Sequence, residues 1–144
     1  MIELKLLTEE DLSFLLEVRN DDSTRFYLED DSIFTLDECK KWFVNLNSPW
    51  YIIETIEGNK VGYIRTNNNE VGCDIHPDYR RKGYAKIAYT IYLKDKEYAS
   101  LWVFGDNFAR GLYEKLGFKY TLKSKMVRGR KYLEMEYYAA VGNS

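Results

Sequence analysis

Ile2, Leu4 and Leu6 alternate with Glu3, Lys5 and Leu7 at the start of the chain, the period of two that marks a half-buried strand. The period then lengthens. Leu12, Leu15 and Leu16 recur at helical spacing as far as Arg19, behind Thr8-Glu9-Glu10-Asp11, where a threonine cap and an acidic first turn suit free N–H groups and the helix dipole. Residues 20–32 are polar and irregular and read as a substrate-side loop anchored by Phe26 and Tyr27. Thr35-Leu36-Asp37-Glu38 is a capping-box pattern, and Leu36, Cys39, Phe43 and Leu46 place an apolar stripe on the helix that follows, which Ser48-Pro49 ends.

Strand patterning returns over residues 50–56, 61–65 and 70–75, separated by Glu57-Gly58-Asn59-Lys60 and Asn67-Asn68-Asn69. Two tight turns predict three successive antiparallel strands. A basic, glycine-containing loop then leads into a helix over residues 83–94, with Ile87, Ala88, Ile91 and Tyr92 on one side, and the short apolar run 101–104 follows. Strand, crossover helix and strand predict a parallel pair there. Phe108, Leu112 and Leu116 give a last helix its apolar ridge, with Gly117 placed to end it, and residues 119–126 and 131–138 read as a closing hairpin around Arg128-Gly129-Arg130.

The 144 residues suit one domain spanning 1–144, with 45% hydrophobic and 31% charged residues giving both a core and a soluble surface. Twenty-one Lys and Arg against 23 Asp and Glu leave a net charge of −2, which offers no general attraction for nucleic acid or an anionic membrane. Any anion site is therefore local. Cys39 and Cys73 share no CxxC spacing, and His76 is the only histidine, so neither a structural zinc nor a disulfide framework is expected. The start of the chain is too charged for a signal peptide, no stretch approaches a membrane span, and the expected location is the cytoplasm.

The sharpest local signal is His76-Pro77-Asp78-Tyr79-Arg80-Arg81-Lys82-Gly83-Tyr84-Ala85, between a strand end and a helix start. Free N–H groups and the positive end of the helix dipole converge at such a place. Gly83 lets backbone approach a phosphate closely, Ala85 keeps the next approach open, and Arg80, Arg81 and Lys82 add positive charge. A pyrophosphate-bearing ligand fits.

Arg80-x-x-Gly83-x-Ala85 resembles the Arg/Gln-x-x-Gly-x-Gly/Ala signature of GNAT acetyltransferases, and Asn107 with the run Leu112-Tyr113-Glu114-Lys115-Leu116-Gly117-Phe118 resembles their second signature. Here Asn107 precedes Tyr113 by six residues where the family has seven, and Asp106 takes the seventh place. The resemblance covers residues 2–138. It implies a mixed α/β fold with a mostly antiparallel twisted sheet of about seven strands and about four helices. Two strands of that sheet splay apart at the CoA site. It also implies acetyl-CoA as co-substrate, without a metal. By position, Arg81, Lys82, Gly83, Tyr84, Ala85 and Lys86 would hold its pyrophosphate beside Arg80. Asn107 would contact the pantetheine. Free backbone at Cys73 and Ile75 would pair with the pantetheine like an added strand.

Acetyl transfer to an amine needs a neutral nitrogen, a polarised carbonyl and a thiolate that can be protonated. Glu70 and Asp74 share a strand face, so either could take the amine's proton directly or through water, and Glu70 matches the Glu of the family's Glu-x-Gly-x-x-x-His-Pro stretch. Tyr113 occupies the position whose phenol lies near the family's thioester sulfur and would protonate it. His76 matches a structural position. Cys73 lacks a base partner, which argues against an acyl-cysteine route.

Arg19-Asn20-x-x-x-x-Arg25 and Trp42-Phe43 are similar to the branch that holds protein N-terminal acetylating enzymes of the ribosomal-protein type and nucleotide amino-sugar N-acetyltransferases, with Cys39 where the sugar members carry a histidine. On that resemblance Arg19 and Arg25 would bind the acceptor, a protein N-terminus, an amino sugar or another small amine. The chain would act as a monomer or homodimer. A non-catalytic acyl-CoA sensor or partner-binding module on the same fold is the alternative.

Overall fold

The computed structural model describes residues 1–140. Its strands are β1 (Ile2–Leu6), β2 (Tyr51–Thr55), β3 (Lys60–Asn67), β4 (Glu70–Ile75), β5 (Tyr98–Phe104), β6 (Lys119–Val127) and β7 (Arg130–Tyr138). The helices are α1 (Leu12–Arg19), α2 (Asp22–Arg25), α3 (Leu36–Val44), α4 (Tyr84–Leu93) and α5 (Arg110–Leu116). One sheet runs in the order β1-β2-β3-β4-β5-β7-β6. Every neighbouring pair is antiparallel except β4 and β5, which are parallel and register only at Glu70 and Ser100. Beyond that point the two strands diverge, and the β5-facing edge of β4 from Gly72 onward has no ladder partner.

The sheet carries a core on each face. On one side, Ala88, Tyr89 and Tyr92 of α4 pack on Ile64, Leu101 and Met135. On the other, Leu12, Leu15 and Val18 of α1 and Cys39 of α3 pack on Ile52 and Tyr63, flanked by Trp42 and Trp50. Each fully enclosed aliphatic side chain among them contributes about 1.5–3 kcal/mol. Caps fix where the helices begin. The Glu38 carboxylate accepts from the Thr35 N–H at 2.9 Å while Thr35 Oγ1 accepts from the Glu38 N–H at 3.2 Å.

Several expectations shift by a residue or an element. Leu6, the last residue of β1, is exposed, and Leu7 just beyond it is buried, its N–H donating to the Trp50 carbonyl at 2.9 Å. On α4 the buried set is Ala88, Tyr89, Tyr92 and Leu93, with Ile87 and Ile91 half out, because the sheet side of this helix is built from tyrosines. Phe108 lies outside α5 and is 93% exposed, so α5 takes its ridge from Leu112, Tyr113 and Leu116. Within the stretch read as a loop, Asp21 accepts from the Ser23 N–H at 3.0 Å and starts the short helix α2. That gives five helices. The closing hairpin inserts β7 between β5 and β6, which local sequence patterning does not specify.

Candidate active site

The divergence of β4 from β5 opens a cleft of about 510 Å3, walled by Cys73, Asp74 and Ile75 on β4, by the loop and first turn of α4, and by Asn107, Leu112 and Tyr113 at α5. The loop's backbone is shaped for an anion. Arg81 and Gly83 have φ of 63° and 83°, and such left-handed residues beside right-handed ones turn successive N–H groups toward one point. Among the described residues none accepts from the backbone N–H groups of residues 81–86. A Cβ built on Gly83 would meet no protein atom within 4 Å, so the space above it is open to a ligand. Free N–H donors, a helix N-terminus and an open approach fit the pyrophosphate of acetyl-CoA.

Arg80 plays a different part from its neighbours. Its Nε donates to the Ile75 carbonyl at 3.0 Å, and its guanidinium reaches Ser23 Oγ at 2.5 Å and Thr24 Oγ1 at 2.8 Å. It thus ties the anion loop to the end of β4 and to α2. Arg80 still lines the cleft, as do Arg81, Gly83, Tyr84, Ala85 and Lys86, while Lys82 is exposed and lies outside the lining.

At the inner end of the cleft stands Tyr113. Its hydroxyl oxygen is 3.5 Å from that of Tyr89, whose O–H points toward it, and the two rings meet edge to face at 5.5 Å. Burial pushes the Tyr113 phenol up to about 12, so it stays protonated at neutral pH. Across the cleft the Cys73 thiol is likewise pushed up by burial, with the Asp74 carboxylate adding to the effect, which keeps it protonated and a poor nucleophile. Asp74 is paired: Arg65 Nε donates to its carboxylate at 3.0 Å. The Arg65 guanidinium crosses β4 over Gly72, where an added Cβ would lie 2.4 Å from it.

A second chamber, of about 120 Å3, lies on the far side of Tyr113. Glu70, Trp50, Trp102 and Tyr132 line it, and it shares Arg65, Trp102, Tyr113 and Tyr132 with the main cleft. Partial burial, reinforced by Glu29 and Glu134 nearby, raises the Glu70 carboxyl above the usual carboxylate range despite the opposing charges of Arg65 and Lys125. A carboxyl shifted this way is a stronger proton acceptor once ionised.

The sequence profile of the Acetyltransferase (GNAT) family matches residues 11–118, three quarters of the chain. The protein belongs to the GNAT acetyltransferase family. It is therefore an acetyltransferase whose co-substrate is acetyl-CoA. Solved structures share the fold at low identity. Spermidine N-acetyltransferase from Vibrio cholerae, in complex with CoA and spermine, superposes with a TM-score of 0.81 at 20% identity, covering 95% of each chain. A Salmonella typhimurium protein described as an acetyltransferase, solved with its cofactor acetyl-CoA, gives 0.75 at 17% identity over 100% of this chain and 97% of its own. A GNAT acetyltransferase from Bacillus anthracis gives 0.73 at 17%, over 95% and 94%. No curated protein matches the chain by sequence.

Within this GNAT protein the structure gathers Cys73, Ile75, Arg80, Arg81, Gly83, Tyr84, Ala85, Lys86, Asn107 and Tyr113 around one cleft, and Glu70 joins them through the second chamber. The short spacing before Tyr113 has a physical reading. Asp106 is held by Arg130 at 2.8 Å, whereas Asn107 lines the cleft with its Oδ1 accepting from the Ala109 N–H at 2.8 Å. Arg19 and Arg25 stand elsewhere. Arg19 donates to the Asp30 and Ser32 carbonyls, and Arg25 to the Asp31 carbonyl, so both guanidinium groups hold the loop 20–34 in shape. His76 accepts from the Asp78 N–H on Nδ1, which leaves Nε2 to donate to Glu17 at 3.1 Å, and its ring lies parallel to Phe14. Sequence reasoning passed over Arg65, Trp102 and Tyr132. For Arg65 the available signal was Gly72, since a glycine inside a strand marks a close approach.

Proposed function

We propose that the protein transfers the acetyl group of acetyl-CoA to a primary amine by direct attack in a ternary complex, with Glu70 as general base and Tyr113 as general acid. The observation that carries this reading is the meeting of two cavities at Tyr113: a long cleft suited to CoA on one side and a carboxylate-bearing aromatic chamber on the other. When bound, acetyl-CoA supplies the activated acetyl thioester.

The residues divide the remaining work. The N–H groups of residues 81–86 and the start of α4 bind the pyrophosphate. The unpaired edge of β4 offers backbone partners to the pantetheine arm, in the manner of strand addition. An acceptor amine enters as its ammonium, whose reference pKa is about 10, and loses a proton to the Glu70 carboxylate. The Tyr113 hydroxyl, protonated at neutral pH, donates to the departing sulfur. Tyr89 donates toward the Tyr113 oxygen from 3.5 Å, which leaves the Tyr113 proton available to the sulfur. Cys73 has neither a lowered pKa nor a base beside it, which favours one-step transfer over an acyl-cysteine route.

Arg19 and Arg25, bonded to carbonyls of their own loop, add no support to a sugar-nucleotide acceptor. Initial rates with acetyl-CoA and the amine both varied test the scheme. Direct attack gives intersecting reciprocal plots. Parallel plots, with acetyl-enzyme seen by mass spectrometry, would overturn it.

A further inference from the structure

The chamber beside Glu70 is narrow. Its volume of about 120 Å3 is below the roughly 150 Å3 of a protein cavity that takes up benzene, so an amine on an alkyl stem fits the space and an aromatic ring overfills it. Trp102 and Tyr132 form one wall, stacked at 5.5 Å with 21° between their planes. Trp50 forms another and is held in place. Its Nε1 donates to the Thr66 carbonyl at 3.1 Å, Thr66 Oγ1 donates back to the Pro49 carbonyl at 2.5 Å, and the indole lies nearly parallel to the buried ring of Tyr63 at 5.6 Å.

Trp50 also borders a third cavity. That space, of about 270 Å3, lies among Leu15 of α1, Phe34, and Cys39 and Trp42 of α3, and no step of the proposed chemistry uses it. Trp50 is the one residue that lines both this cavity and the chamber. Its contacts divide in the same way. The indole N–H is bonded to Thr66, which lines the chamber, whereas the ring meets Trp42, which lines the larger cavity, edge to face at 4.6 Å.

We infer that Trp50 is a specificity-determining residue: its indole is the partition between the chamber and the larger cavity, and it restricts acceptors to amines carried on a slender alkyl stem. The inference rests on the ternary-complex reading above and deepens it, since it assigns what limits the acceptor at that same chamber. Trp50 acts through shape and takes no part in moving a proton. Removing the indole joins the two spaces, so an aromatic ring on the acceptor stem can then settle against Trp42.

Propylamine and 3-phenylpropylamine share a stem and differ by one ring. Calorimetric titration of each into the whole, CoA-loaded protein tests the partition without requiring turnover. Trp50→Leu removes the ring, and Trp50→Phe, which keeps a ring over Tyr63, carries the test if the leucine variant does not fold. The native chain should bind 3-phenylpropylamine more weakly than propylamine. In Trp50→Leu the Kd of 3-phenylpropylamine should fall about tenfold, the order expected for enclosing a phenyl ring, and in Trp50→Phe about threefold, with propylamine unchanged within about twofold. Adding Cys39→Phe to either variant refills the larger cavity and should abolish the gain, which a merely loosened core would not do. Unchanged or weaker binding of 3-phenylpropylamine in the Trp50 variants overturns the inference, as does a gain that survives Cys39→Phe, a native preference for 3-phenylpropylamine, or binding of neither amine to any of the proteins. Failure of acetyl transfer to propylamine that binds as expected would instead count against the catalytic reading, so the two can fail separately.

Discussion

The guanidinium of Arg65 crosses β4 above Gly72 and donates to the carboxylate of Asp74 at 3.0 Å. Arg65 lines both the main cleft and the chamber beside Glu70, Asp74 the cleft alone, and the pair accounts for two residues at once. Gly72 is without a side chain because the guanidinium passes there, and Asp74, although on the same face as Glu70, is committed to Arg65. The general base of the proposed scheme is thus the carboxylate that Arg65 does not hold.

Asp74→Asn leaves the Arg65 charge without its partner. A fully enclosed pair broken this way costs about 3–5 kcal/mol, and with 34% of the Arg65 side chain still accessible a loss of about 2 kcal/mol is expected. Urea unfolding followed by circular dichroism measures it. An unchanged midpoint would show that the pair contributes nothing to stability.

Glu70 gives a prediction whose sign follows from its raised carboxyl. Because the folded state disfavours the charged form, stability associated with this group is present below the unfolded-state pKa and is lost as pH rises through the folded-state value. Glu70→Gln should therefore unfold at a higher temperature than the native chain near pH 8, with the difference shrinking as the pH falls into the carboxylate range. The same variant should turn over slowly, about 10²-fold below the native rate at neutral pH. Thermal melts at several pH values and one rate comparison check both parts.

Gly83 separates the anion loop from the fold. No protein atom lies within 4 Å of the position its Cβ would take, so Gly83→Ala disturbs the chain only through φ of 83°, a strain of about 1–2 kcal/mol. In the proposed binding mode that Cβ enters the space left for the pyrophosphate. CoA should bind at least about tenfold more weakly, a loss of about 1.4 kcal/mol or more. Calorimetry on the folded variant gives the answer, and unchanged CoA affinity would move the pyrophosphate elsewhere.

Arg80 should behave unlike Arg81. Arg80→Ala removes the bonds to Ile75, Ser23 and Thr24, and hydrogen exchange is expected to quicken in α2 and at the end of β4. Arg81→Ala should leave exchange in α2 unchanged and weaken CoA binding instead. Equal effects of the two variants on α2 would contradict this division.

Much of this arrangement is legible in the sequence wherever chemistry is local. The loop from Arg80 to Ala85 combines glycine, basic residues and a helix start, and each has its own physical consequence there. Tyr113 is singled out by its resemblance to the family signature, and Glu70, which strand alternation leaves level with Asp74, by its match to the family's Glu-x-Gly-x-x-x-His-Pro stretch. What is not legible depends on pairings distant along the chain. Lys125 reaches Glu29 across 96 positions, and Arg128 and Arg130 donate to carbonyls of Phe26 and Leu28. The insertion of β7 between β5 and β6 brings Tyr132 and Glu134 beside Trp102, and no local period announces it. Arg19 and Arg25 show the converse: residue type suggests an anion site, and only the structure shows their guanidinium groups bonded within their own loop.

Amine-dependent release of CoA thiol from acetyl-CoA, over a panel of diamines, amino sugars and peptide N-termini, compared between the native chain and Tyr113→Phe, tests the central claim most directly. Direct transfer with Tyr113 as the acid predicts release that requires a primary amine and falls about 10²-fold in the variant at unchanged acetyl-CoA affinity. Acetyl-CoA binding with no amine able to stimulate release, or equal rates in the two proteins, would contradict it.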